Sequence, residues 1–194
     1  MTVQRPREIP LPDPELTDGA IRLRPWRGDD LHVMTEALQD PEIPRWTTIP
    51  SPYGERDARE YLSRAEADRR TGRELGLAVV DAKTGGVLGG CGLSRFEWPE
   101  LKCEIGYWVA KDVRGRSVGT RAVTLLSSWA VGPLGMERLE LLVDPRNEPS
   151  NRLAVSAGFR REGLMRAYRR RPEGRWDLVM YSLLADDVEP ASLA

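Results

Sequence analysis

Short alternating apolar runs fill much of the chain, and the spacing changes to a helical one after Val118. The segment "AIRLRPW" sets Ile21, Leu23 and Pro25 against Arg22 and Arg24, the period-2 pattern of a strand. Asp29 or Asp30 can then cap a helix that places Leu31, Met34 and Leu38 on one face, and Pro41 ends it. After the irregular "PEIPRWTTIPSPYGE", a second helix from about Asp57 buries Ala58, Tyr61, Leu62 and Ala65 and displays the pairs Glu60–Arg64 and Glu66–Arg70. Gly72 stops it. Three strands follow at 75–82, 87–96 and 102–110, joined by the hairpin turn "KTGG" and the looser "EWPEL", and they are expected to be antiparallel neighbours. Val118, Ala122, Leu125, Leu126 and Trp129 recur as one helical face until Gly132 and Pro133 break it. A strand at 139–144, a short helix "SNRLAVSA" opened by Pro149, and a hairpin around "RPEG" complete the chain.

The order β, α, α, β, β, β, α, β, α, β, β predicts an α+β domain with one central sheet. Four prolines among charges (Pro6, Pro10, Pro12, Pro14) mark residues 1–18 as a flexible N-terminal arm. Residues 19–185 then form the folded domain and 186–194 a tail. A chain of 194 residues with 40% hydrophobic residues can bury one substantial core. Lys plus Arg number 29 against 30 Asp plus Glu, which excludes the broad basic field of a nucleic-acid binder and makes any anion site local. No apolar run approaches membrane-spanning length and no signal peptide is recognisable, so a soluble cytoplasmic protein is expected. Cys91 and Cys103 sit in strand segments without a CxxC or Cys/His cluster, the pattern of buried reduced thiols, and no metal site is expected.

The stretch "VRGRSVGTRAV" gathers Gly115, Gly119 and the potential phosphate partners Arg114, Arg116, Ser117 and Arg121 directly before a helix. Unpaired N–H groups and partial positive charge make such a terminus an anion cradle, and a glycine lets the ligand approach the backbone. Spacing alone also admits a solvated glycine turn. Thr120 follows Gly119 where GxxxxGK[ST] requires Lys, and GxGxxG does not occur, so neither nucleotide fingerprint is present.

Read as R-x-x-G-x-G with Ser117 at the inner glycine, "RGRSVG" resembles the pyrophosphate loop of the GNAT N-acetyltransferases, which bind acetyl-CoA. "EIGYWVAKDVRGRSVGTRAV", "DPRNEPSNRLAVSAGF", "RLRPWRGDD" and "RWTTIPSPY" extend the resemblance over roughly residues 20–184, towards the RimJ/RimL-like branch. It implies the GNAT-type acyl-CoA N-acyltransferase fold: a mixed, mostly antiparallel sheet splayed between the fourth and fifth strands and flanked by helices. Carried over by position, the backbone at Trp108, Val109 and Lys111 lines the pantetheine arm. Arg114, Gly115, Arg116, Ser117, Val118, Gly119 and Thr120 hold the pyrophosphate. Asn147 binds the arm from the other side, and Ser150 lies near the sulfur. Helix capping is the alternative for Asn147 and Ser150. At Ser117 the departure leaves two conformations open: a positive φ, or a helix-start serine with negative φ that offers its hydroxyl.

Acetyl transfer to an amine requires a fixed donor, a neutral amine, oxyanion stabilisation and a proton for the thiolate, and it needs no metal. A backbone N–H near Val109 is expected to serve the oxyanion. Glu104, on the strand entering the loop, is the candidate base, with a structural Arg pairing as its alternative; Glu162 is a weaker candidate, and His32 is remote. Relatives that use a Tyr acid place it where this chain has Ala154, which leaves Ser150 or water as proton donor. Trp46, Tyr53, Trp98 and Tyr168, with Glu97 and Glu100, are expected at the acceptor pocket, where aromatics and carboxylates suit a cationic amine. The resemblance suggests a protein N-terminal amine; aminoglycosides, polyamines and other small amines stay open, as does a non-catalytic acyl-CoA sensor. A homodimer is compatible by analogy.

Overall fold

The structure, a computed structural model, describes residues 8–172 and 174–188. Its eight strands are β1 (Leu16–Thr17), β2 (Ile21–Pro25), β3 (Glu74–Asp81), β4 (Val87–Glu97), β5 (Lys102–Val109), β6 (Arg138–Val143), β7 (Arg160–Arg171) and β8 (Gly174–Leu184). They form one sheet in the order β1-β2-β3-β4-β5-β6-β8-β7, antiparallel everywhere except between β5 and β6. The helices are α1 (Leu31–Leu38), α2 (Glu42–Trp46), α3 (Glu55–Arg70), α4 (Val118–Val131) and α5 (Glu148–Ser156).

Strand alternation divides the sheet into two unlike faces. Leu75, Leu77, Leu93, Ile105, Leu139 and Leu141 join Ala122, Val123, Leu126 and Ala130 of α4 in the main core. A smaller cluster on the other side gathers Met34, Leu38, Ile43, Tyr53 and Ala58 from α1 to α3 and meets Trp26, Tyr61 and Trp108. The sheet under α1 to α3 is low because Gly76, Gly92 and Gly106 are consecutive cross-strand partners. A Cβ on Gly76 would lie 2.0 Å from the Tyr61 hydroxyl, whereas one on Gly106 would meet nothing within 4 Å. The sheet is therefore roofed by Tyr61 at β3 and open at β5.

The opening is completed by a short parallel pairing. β5 and β6 are in register only at Lys102–Arg138, Cys103–Leu139 and Glu104–Glu140, although β5 continues to Val109 and β6 to Val143. Beyond Glu104 they diverge, as the fourth and fifth strands of the predicted splayed sheet should; the two-residue β1 accounts for the shift in numbering. Ala110 donates to the Leu88 carbonyl at 2.9 Å, so in the alternating antiparallel ladder the Val109 N–H turns the other way, into the opening.

Four details differ from the sequence reading. The N-terminal arm is docked from residue 8 onward: Ile9 is fully buried, its N–H donates to the Arg69 carbonyl, and the Arg69 guanidinium returns to the Ile9 carbonyl at 2.6 Å. Residues 1–7 lie outside the described residues. At the other end Ala185–Asp187 form a 3-10 turn and Val188 packs on the core, so only residues 189–194 of the expected tail lie outside. The irregular stretch after Pro41 contains α2, and α3 begins at Glu55, where the Asp57 carboxylate accepts from the Gly54 N–H. Glu66 pairs with Arg70 at 2.7 Å as expected, but Arg64 turns towards Asp68, 3.9 Å away.

Candidate active site

A cleft of about 1030 Å³ runs from the α4 N-terminus, across the β5–β6 opening, to α2 and α3. At its first wall Gly115 (φ 75°) and Ser117 (φ 59°, ψ 11°) are both left-handed, so Ser117 takes the conformation of the glycine it replaces. The alternative with negative φ is overturned, and its side chain makes no capping hydrogen bond. The turn aims the first-turn N–H groups of α4 into the cleft, where they have no intrahelical acceptors.

The loop arginines are largely committed elsewhere. Arg114 pairs with Asp40 and donates to the Val109 carbonyl at 3.2 Å, and Arg121 pairs with Asp18. These ties fasten the loop to the end of α1 and to the β1–β2 turn, so Arg114 and Arg121 are already paired. Trp108, Val109, Arg114, Gly115, Ser117 to Thr120, Asn147 and Ser150 line the cleft; Lys111 and Arg116 do not. Gly119 has a packing role besides any ligand contact. A Cβ there would approach Leu153 Cδ1 at 2.8 Å, Tyr107 Cε2 at 3.1 Å and Val109 Cγ2 at 3.3 Å.

Asn147 opens the opposite wall as the α5 cap, its Oδ1 accepting from the Ser150 N–H at 3.2 Å. Tyr107, which was not singled out in the sequence, donates its phenolic proton to Ser150 Oγ at 2.8 Å. That leaves the serine proton free to be given to a third group. Burial pushes the Tyr107 hydroxyl up to about 12, so it stays a donor throughout the neutral range.

Glu104 lines the cleft with its oxygens 3.2 and 3.3 Å from Arg169 and 3.3 Å from Arg95. Both arginines are brought there by irregular backbone: Arg95 (φ 52°) lies at the register shift of β4, and Arg169 ends the shift of β7 that contains Ala167 (φ 51°). Such bulges re-aim side chains, and no glycine announces them in the sequence. Glu162 is held to about 2 by hydrogen bonds from Arg138 and Ser182, and it does not line the cleft. His32 is exposed beside Glu36.

At the α2–α3 end of the cleft, where the acceptor was expected, Trp46 and Tyr53 are among the lining residues. Trp46 donates to Glu42, and Arg45 covers one face of its ring, 4.6 Å from the centroid. Tyr53 is mostly core, its hydroxyl 3.6 Å from Met34 Sδ. Four expected acceptor residues lie elsewhere. Trp98 is buried, stacks on Phe96 and gives its N–H to the Gly72 carbonyl at 2.9 Å, while Tyr168 projects into solvent from β7. Glu97 pairs with Lys102, and neither it nor Glu100 reaches the cleft. The wall assigned to "RFEWPEL" is supplied instead by α3 and β3, through Tyr61, Arg64 and Glu74.

Residues 20–160 match the family described as the acetyltransferase (GNAT) domain. The chain belongs to the GNAT acetyltransferase family. An N-acetyltransferase of Bacillus licheniformis called p20, itself uncharacterised, is 27% identical over 164 residues, covering 84% of this chain and 92% of its own. RimJ of Mycobacterium smegmatis, solved with CoA-disulfide, superposes with a TM-score of 0.82 at 21% identity over 92% of this chain and 88% of its own. The ribosomal-protein-S5-alanine acetyltransferase of Vibrio fischeri gives 0.78 at 19%, over 91% and 99%. At these identities the two structures establish the shared fold, and with it the GNAT architecture of the splayed strands.

Proposed function

We propose that this chain transfers an acetyl group from acetyl-CoA to a primary amine by direct attack in a ternary complex. The observation that carries this reading is the β5–β6 opening, onto which the left-handed loop, the Asn147 cap and the Tyr107–Ser150 pair all converge. Acetyl-CoA would bring an activated acetyl group; the chain binds it, orients it and manages protons. N–H groups of Ser117 to Thr120 bind the diphosphate, and the walls of the opening, with Asn147, flank the pantetheine arm. The Val109 N–H is the proposed donor to the carbonyl oxygen as negative charge develops there. Ser150, oriented by Tyr107, is the proposed donor to the departing sulfur. Glu104 is the proposed acceptor of the amine proton, held in place by Arg95 and Arg169.

An acidic acceptor end supports a cationic amine: Glu42, Asp57, Glu60, Glu74 and Glu104 line it with Arg64 and Arg169, whereas Arg114 and Arg152 line the loop end. The names of the RimJ and ribosomal-protein acetyltransferase structures favour a protein N-terminal amine as its source. Thiol release from acetyl-CoA, followed with a panel of peptide and small amines, tests the proposal. Release that depends on the amine supports it, whereas acetyl-CoA binding without release would mark a sensor. Glu104→Gln should abolish or displace the acidic limb of the pH–rate profile with acetyl-CoA affinity kept. An unaltered profile would confine Glu104 to its ion pairs.

A further inference from the structure

The carboxylates that line the acceptor end differ in how they are engaged. Glu42 accepts from Arg45 and Trp46, Asp57 caps α3, and Glu104 pairs with Arg95 and Arg169. Glu60 is exposed. Glu74 is half-buried, and its carboxylate, among the described residues, makes neither a hydrogen bond nor an ion pair. Its charged neighbours are Arg64 and Asp68 of α3, which face each other 3.9 Å apart. A half-buried carboxylate whose one cationic neighbour is turned towards Asp68 is only partly compensated in the free protein and well placed to receive a cation.

The register defines where that cation would sit. Glu74 pairs with Ser94 and Ser94 with Glu104, so the three side chains form a row across β3, β4 and β5 on the face beneath α1 to α3. Two strand spacings put Glu74 about 10 Å from Glu104 along this row. Gly76, Gly92 and Gly106 form the next row towards Val109, leaving low floor between Glu74 and the β5–β6 opening.

We propose that Glu74 is a specificity residue that binds a second cationic group of the acceptor, so that the preferred substrate is a primary amine carrying another ammonium or guanidinium roughly 6–10 Å away. The proposal rests on the acetyl-transfer reading for the fate of the first amine. A linear diamine and a peptide with a basic residue next to its free N-terminus share this chemistry. Burial raises the Glu74 carboxyl above its ordinary 4.5 although Arg64 partly offsets it, in keeping with a site that a bound cation would relieve.

The test compares acceptors that differ only in the second charge: 1,5-diaminopentane with 1-aminopentane, and a short Ala-Lys peptide with its Ala-norleucine counterpart. Binding to the CoA-saturated protein is measured by calorimetry and turnover by thiol release, for wild type and Glu74→Gln. In at least one pair the dication should bind more than tenfold better. Glu74→Gln should remove most of that advantage, weakening the dication far more than the monocation, and the arm in which this happens identifies the source of the amine. Equal binding within both pairs, or a preference that survives Glu74→Gln, overturns the proposal, and continued thiol release in that case leaves acetyl transfer standing. Glu74-dependent dication binding without thiol release from any acceptor supports the cation site and overturns the acetyl-transfer reading instead. An equal loss of binding for the monocation and the dication would overturn the Glu74 proposal, since the residue would then shape the cleft rather than read a second charge.

Discussion

Tyr107 donates its phenolic proton to the Ser150 oxygen at 2.8 Å, which leaves the serine's own proton available for the proposed transfer to the departing sulfur. A donor to a departing sulfur acts in the transition state, so Ser150→Ala should lower kcat by about 10²-fold while acetyl-CoA affinity is kept. Tyr107→Phe should have a smaller effect, and the double variant should be no slower than Ser150→Ala, because the phenol acts through the serine. Rapid-mixing measurement of thiol release reads all three; full turnover in Ser150→Ala would reduce the serine to part of the α5 cap. Alternation puts Tyr107 on the same face as Val109 but says nothing of a contact with Ser150, 43 residues away, so this pair was not legible in the sequence. Nor was the Arg24–Asp30 pair. Alternation marks Arg24 as a polar, outward residue, yet it is 4% exposed and makes bonds of 2.7 and 2.8 Å to the Asp30 carboxylate. Burial pushes the Asp30 carboxyl up, but the Arg24 and Arg27 hydrogen bonds outweigh it and hold the group below its ordinary 3.8. The stability it adds is thus complete above that value and lost as pH falls through the lowered one. Asp30→Ala, which strands a buried guanidinium, should cost about 3–5 kcal/mol in urea unfolding at neutral pH.

At the scale of elements, the cleft exists because β5, α4 and α5 meet closely on one side and β6 leaves β5 on the other. Gly119 is the contact point of the first three, and the space for a methyl group is taken by Leu153, Tyr107 and Val109. Gly119→Ala should therefore lower stability by about 1–3 kcal/mol through overpacking and also weaken acetyl-CoA binding, read by thermal unfolding and calorimetry on one preparation. Unchanged stability would contradict the packing. The elements themselves were legible: β2, α1, α3 and α4 through their period, and β3 to β8 and α5 through apolar runs bounded by Gly and Pro turn signals. The divergence of β5 from β6 was not in the period; it came through the resemblance of the loop and its flanks. Arg95 and Ala167 stayed hidden for a different reason: they adopt positive φ without glycine, so the bulges that turn Arg95 and Arg169 to Glu104 leave no local mark.

Over the whole molecule, the segment after residue 7 is part of the fold. Proline and charge density made it look like a free arm, but one apolar residue, Ile9, is fully buried and Arg69 clasps its backbone. Ile9→Ala should cost about 2–4 kcal/mol, a loss that a free arm would not register in chemical denaturation. Docking this segment, β1 and the Asp18–Arg121 pair ties the chain's start to α4, while Asp40–Arg114 ties α1 to the loop before it. The wall proposed to hold the cofactor is thereby fastened to the elements proposed to receive the acceptor. Such a frame suits two substrates held at once, and initial-rate kinetics with acetyl-CoA and amine varied together test that claim most directly. Intersecting double-reciprocal lines, with the acetyl group found on the amine by mass spectrometry, are the predicted result. Parallel lines, or bound acetyl-CoA that transfers nothing to any amine, would contradict it.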